Sequence, residues 1–150
     1  MIYISHRGNI DGPNPKLENN PTYIEKALGK GYNVEIDVWL IGEYIYLGHD
    51  CPGYWVESTF LTNEGLWCHA KNIEALHYMV NICNINCFWH QSDTVTLTSH
   101  NFLWTYPGNA LLTDRSIAVL PEMGSWDISQ LKGCYGVCTD YISNYVENHG

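Results

Sequence analysis

The stretch Tyr3-Ile4-Ser5-His6-Arg7-Gly8-Asn9 ends an apolar run on an imidazole, a guanidinium and a glycine. Arg7 offers a planar, permanently charged fork that matches phosphate oxygens. His6 can give or take a proton near neutral pH. Further along, "NVEIDVWL" carries Glu35 and Asp37 one residue apart. In a strand that spacing places both carboxylates on one face and Val34, Ile36 and Val38 on the other. Two convergent carboxylates make a hard oxygen site that suits Mg²⁺ or Ca²⁺. "YLGHD" supplies a second imidazole, His49, with Asp50 beside it to orient the ring, and "LWCHAK" adds His69 and Lys71. Taken singly these are ordinary residues: a strand-end histidine can be structural, a Glu-x-Asp pair can face water, and an Arg can pair with a surface acid. Taken together they describe a phosphodiester site, in which a cation and Arg7 neutralise the anion while two imidazoles move protons.

Such a site needs elements that bring distant strand ends together. Residues 9 to 20, rich in Asn, Pro and Gly, read as loop. "PTYIEKALGKG" predicts a helix begun by Asn20 and Pro21 and stopped by Gly29 and Gly31. "YNVEIDVWL" is a strand, "YIYLGHD" its partner after the turn at Gly42, and residues 51 to 63 a loop. "LWCHAK" is the next main strand, followed by the helix "NIEALHYMVNI" with Asn72 as its cap. After "NCFWH", short β segments are expected at "TVTLT", "NFLWTY" and "ALLT", then a strand "SIAVLPE", a helical turn or two at "SWDISQL", a last strand "GCYGVCTDYI" and a polar tail. Alternation of strands and helices argues for an α/β fold with parallel βαβ units. Several strands end in ionisable residues, as at the mouth of a βα barrel; Glu122 and Asp140 are among them. No repeat or linker divides residues 1–150, which read as one domain.

Composition narrows the partners. The chain has 150 residues, 45% of them apolar, with 16 acidic and 7 basic residues for a net charge of −9. That surface repels nucleic acid. No apolar run approaches the roughly 20 residues that span a bilayer, and Met1–Ser5 lack a signal-peptide layout, so a cytoplasmic location is expected. The six cysteines (Cys51, Cys68, Cys83, Cys87, Cys134 and Cys138) form no C-x-x-C pair. Cys83 with Cys87, and Cys134 with Cys138, have a spacing open to zinc, but buried reduced thiols are the simpler expectation. His77, His100 and His149 read as surface residues. Most of the six tryptophans and eleven tyrosines read as wedges of a small core, while His90, Trp104 and Tyr106 could line a substrate pocket.

The ordered set "SHRGN", "LENN", "GYNVEIDVWL" and "YLGHD" resembles the glycerophosphodiester phosphodiesterase family, in the superfamily of phosphatidylinositol-specific phospholipase C barrels. It covers residues 2 to 50; "LWCHAK" and "YGVCTDYI" resemble later family strands. The resemblance implies a TIM-like βα barrel and metal-dependent hydrolysis of a small glycerol-type phosphodiester. By it, His6 and His49 match the acid/base pair, Arg7 and Lys71 the phosphate contacts, Glu35 and Asp37 metal ligands, and Glu18 the acid of the Glu-Asn motif. His69 stands where the family carries a further carboxylate. The implied donor set of two carboxylates and an imidazole admits Mn²⁺ or Zn²⁺ beside Mg²⁺ or Ca²⁺. Glu122 is a second, less favoured source of that carboxylate. A complete eight-stranded barrel takes about 250 residues, so this one is expected to be incomplete, or closed by β hairpins from residues 94 to 113. Exposed apolar edges would gain from a homodimer. A phosphate or phosphosugar binder on the same fold, and an aromatic-rich interaction protein, are the competing readings.

Overall fold

A computed structural model of the chain describes residues 1–82, 84–108, 110–124 and 126–149. Alternating apolar residues set the strands. The central one, β1 (Ile2–His6), pairs in parallel with β2 (Asn33–Ile41) on one side and β10 (Gly136–Thr139) on the other. Beyond β2 come β5 (Leu66–Ala70) and β6 (Cys87–Trp89); beyond β10 come β9 (Ser116–Val119) and β8 (Leu103–Thr105), all parallel. An antiparallel hairpin of β3 (Tyr44–Leu47) and β4 (Tyr54–Val56) extends the outer half of β2. The short β7 (Val95–Leu97) runs antiparallel to β8. The sheet curls until its ends touch: Thr96 Oγ1 donates to the Trp89 carbonyl at 2.8 Å and Ser99 N to the Cys87 carbonyl at 2.8 Å.

Helices cover one side of this curl. In α1 (Pro21–Gly29) the Asn20 side chain accepts from Thr22 N at 3.0 Å and Tyr23 N at 3.3 Å, satisfying orphan donors of the first turn. In α2 (Ile73–Val80), Asn72 caps Ala75 N and also exchanges two hydrogen bonds with the Leu40 backbone, tying the helix start to β2. The β-branched face of β2 (Val34, Ile36, Val38) packs against Ile24 and Ala27 of α1 and Ala75 and Met79 of α2. Burial of each large aliphatic side chain there contributes about 1.5–3 kcal/mol. The concave side is filled by Ile4, Trp67, Phe88, Trp104, Ile117, Val119 and Cys138.

The expected α/β class holds, but a complete TIM barrel is not seen. Helical crossovers join β1 to β2, β5 to β6 and β9 to β10, the last by α3 (Ile128–Lys132), whereas β6, β7 and β8 follow one another without a helix. Three local expectations are corrected. "ALLT" forms no strand; residues 51 to 63 contain β4 and a 3₁₀ turn at Ser58–Thr62; and the polar tail is a helix, α4 (Ile142–His149), anchored by the fully buried Ile142. Its few apolar residues sit on one face, a pattern too short to outweigh its polar composition in sequence. Among the described residues, no helix is long and apolar enough to cross a membrane.

Candidate functional site

Register decides which side chains meet. His6 is paired with Glu35 across β1 and β2, and Asp37 with His69 across β2 and β5. Residues two apart on a strand share a face, so all four gather at the C-terminal strand ends. Glu35 and Asp37 are 3% and 0% exposed. Asp37 Oδ1 lies 3.3 Å and Glu35 Oε1 3.7 Å from His69 Nδ1, and one donor atom from each of the three residues falls within 4.8 Å of the others. The other ring nitrogen, His69 Nε2, is 3.1 Å from the His90 carbonyl, an acceptor, so it carries a proton and leaves Nδ1 facing the carboxylates. Burial would lower the His69 pKa, but Asp37 and Glu35 overcome it and raise it to about 9. Burial would likewise raise the Asp37 carboxyl, yet His69, Arg7 and Asn19 hold it well below the usual carboxylate range.

The cationic side is built on strained backbone. Arg7 and Asn19 take positive φ values of 56° and 62°, a region that costs a non-glycine residue on the order of 1–3 kcal/mol and clusters at functional sites. Arg7 Nε forms an ion pair with Asp37 Oδ2 at 3.0 Å, and Arg7 NH1 donates to Glu18 Oε2 at 3.2 Å. Glu18 Oε1 also accepts from Asn9 Nδ2. Asn19 donates to Asp37 Oδ2 and accepts from Asp37 N, both at 2.9 Å. Lys71 Nζ stands 3.7 Å from Asp37 Oδ1. Gly8, at φ 98°, yields to α1 rather than to a ligand: a Cβ there would lie 2.6 Å from the Tyr23 ring. Gly8→Ala is expected to destabilise the fold by about 2 kcal/mol or more, read as a lower denaturation midpoint; an unchanged midpoint would refute this packing.

His6 is held from the far end of the chain. Its Nδ1 is 2.8 Å from Asp140 Oδ1, 134 residues away, and its Nε2 is 4.0 Å from Glu35 Oε2. Burial lowers the His6 pKa, but the Asp140 bond and the Glu35 charge outweigh it, so the net shift is upward. Asp140 also accepts from Asn9 Nδ2 at 2.8 Å. Glu122 takes no part in the carboxylate group: it accepts from Thr139 Oγ1 and from Asp140 N, fixing the end of β10. The 3₁₀ turn at Pro121–Met123 aims it at β10, outside the group formed by Glu35, Asp37 and His69.

These groups open on a cavity of about 460 Å³ whose lining includes His6, Arg7, Glu35, His49, His69 and Lys71. His49 reaches only its rim, its side chain 41% exposed and Nδ1 2.7 Å from Asp50 Oδ1. His90, Trp104 and Tyr106 line the same cavity, together with Trp89. His77 and His100 are exposed; Cys83 and the side chain of His149 lie outside the described residues. Cys68, Cys87, Cys134 and Cys138 are buried free thiols and Cys51 is exposed. Cys134 and Cys138 belong to different core clusters, against a shared zinc site. Sequence reasoning left Asn9 and Asn19 without roles, although both lie in the quoted "SHRGN" and "LENN" motifs.

The donor set fits a divalent cation. Glu35 Oε2 is buried with no hydrogen-bond partner, a cost of about 1–3 kcal/mol or more for a charged group that a cation would relieve, and Asp37 Oδ1 beside it is held by His69 Nδ1 at 3.3 Å and Lys71 Nζ at 3.7 Å. An ion bound at Nδ1 of His69 must displace its proton. Since that proton leaves only near pH 9 in the free protein, metal affinity is expected to rise with pH by up to about tenfold per unit through neutrality, with proton release on binding. Calorimetric titration in buffers of different ionisation enthalpy measures both; a pH-independent affinity without proton release would remove His69 from the ligand set. No family model matches the chain, and neither a curated protein nor a solved structure matches it.

Proposed function

We propose that this protein is a metal-dependent phosphodiester hydrolase acting on a small glycerophosphodiester, as the resemblance of its first 50 residues implies. The observation that carries the reading is the buried group of Glu35, Asp37 and His69, whose Glu35 Oε2 has no hydrogen-bond partner, with Glu35 and His69 lining one cavity with Arg7, Lys71 and His6. A divalent ion held by Glu35, Asp37 and His69, with Mg²⁺, Ca²⁺, Mn²⁺ or Zn²⁺ all compatible, would supply Lewis-acid polarisation of a phosphoryl oxygen. Arg7 and Lys71 bind and orient the diester anion. Glu18 and Asn19 hold Arg7 and Asp37 in place, so the charges are preorganised rather than recruited. Asp140 accepts a hydrogen bond from Nδ1–H of His6 and leaves Nε2 to take a proton from the attacking hydroxyl. His49, with Asp50 behind it at the rim, returns a proton to the departing alkoxide. By the family resemblance the first nucleophile is a hydroxyl of the substrate, and water opens the resulting cyclic phosphate.

The rim position of His49 is the observation that favours the alternative, a phosphate binder without turnover, since a binder needs no second imidazole. Release of glycerol 3-phosphate from glycerophosphodiesters decides between them. The expected result is release that stops with EDTA and returns with one of the four ions. No release with any of them, from folded protein that binds the ion, would leave the binder.

A further inference from the structure

The cavity has two chemically different arcs. Strands β1, β2 and β5 contribute the charged one: His6, Arg7, Glu35, His69 and Lys71. The opposite arc comes from β6, β8 and β9 and the residues just after them, with Trp89, His90, Gln91, Trp104, Tyr106 and Leu120. It holds no carboxylate and no lysine or arginine among the described lining residues. Its rings are already ordered: His90 and Tyr106 stack with centroids 3.6 Å apart and planes 18° apart. The stack is fixed from below, where His90 Nε2 donates to the Asp93 carbonyl and Tyr106 N donates to the Thr94 carbonyl at 2.8 Å.

We infer that this aromatic arc is the subsite for the leaving alcohol, and that it selects a phosphodiester whose alcohol carries a flat, uncharged ring. The inference rests on the hydrolase reading above and adds the substrate class to it. A cationic alcohol is disfavoured because its charge would share the cavity with Arg7 and Lys71 while no acid stands on its own side. A carboxylate-bearing alcohol finds no cation on that side either. A flat neutral ring gains stacking on the Trp89 and Tyr106 faces without a desolvated charge. The cavity of about 460 Å³ is within the usual range for a small ligand, enough for a phosphoryl group and one ring.

Binding to Mn²⁺-saturated protein, measured by calorimetry with inorganic phosphate, glycerol 3-phosphate, phosphocholine and benzyl phosphate, tests this. Benzyl phosphate is expected to bind about tenfold more tightly than glycerol 3-phosphate, and phosphocholine no more tightly than glycerol 3-phosphate. Tyr106→Leu is expected to erase most of the benzyl advantage while leaving inorganic phosphate unchanged; Trp89→Leu, from another strand, serves if the first variant does not fold. Equal affinities, or a preference for phosphocholine, with phosphate still bound would overturn the ring subsite alone. No binding of inorganic phosphate would overturn the hydrolase reading and the subsite with it.

Discussion

His6→Ala is expected to lower turnover by about 10²- to 10⁴-fold, the range of a lost general acid or base, while metal affinity changes little. The separation of effects follows from geometry. His6 Nε2 stands 4.0 Å from Glu35 Oε2, outside the group formed by Glu35, Asp37 and His69, so its loss removes a proton carrier and spares the ligands. Asp140→Asn is the informative companion. The carboxylate bonded to Nδ1 raises the His6 pKa against burial, so losing it lowers that pKa. A base is active above its pKa, and the acid limb of the rate profile is therefore expected to move to lower pH with a reduced plateau. Rates measured across pH for both variants check this. Full activity in His6→Ala would transfer the proton step to another group, and a fall in metal affinity equal to the fall in rate would make His6 a ligand.

Glu35→Gln is expected to separate stability from function in opposite directions. In the metal-free protein Glu35 is 3% exposed, its Oε2 makes no hydrogen bond, and its nearest charged partners are imidazoles at 3.7 and 4.0 Å. Burying a carboxylate so poorly compensated is unfavourable, and an uncharged amide of the same shape relieves it. Metal-free Glu35→Gln is expected to be as stable as the parent or more so, by about 1 kcal/mol. Stabilisation by added metal should nevertheless disappear, with affinity down at least about a hundredfold. Asp37→Asn differs because Asp37 faces Arg7, His69 and Lys71; losing its charge leaves buried cations unpaired and is expected to destabilise the free protein by about 3 kcal/mol or more. Thermal unfolding of the two variants with EDTA and with each ion reads both effects. A Glu35→Gln protein that melts lower without metal, or keeps its metal response, would show that Glu35 is structural.

The elements around the site were legible where the signal is local. Asn20 and Asn72 announce their helices because a cap is a contact within three residues. Glu35 and Asp37 announce a shared face because strand alternation has a period of two. α4 and β4 were not legible: one is too polar and the other too short for periodicity to register, and α4 is held against β1 from the far end of the chain. The resemblance of residues 2 to 50 to the phosphodiesterase family singled out His6, Arg7, Glu18, Glu35, Asp37 and His49. It could not say that His49 stays at the rim.

Local pattern carries an inventory: a basic pair and glycine closing an apolar strand, two acids on one strand face, and imidazoles and a lysine at other strand ends. How that inventory is used depends on the folded sheet. It chose Asp140 as the partner of His6, sent Glu122 to the end of β10, set the free nitrogen of His69 through the His90 carbonyl, and placed Trp89, Trp104 and Tyr106 across the cavity from Arg7. The reason is physical. Side-chain direction along a strand follows from the covalent backbone and can be read locally. Which strand ends converge depends on parallel register and on the curl of the whole sheet, and both are settled by packing between residues as far apart as 6 and 140.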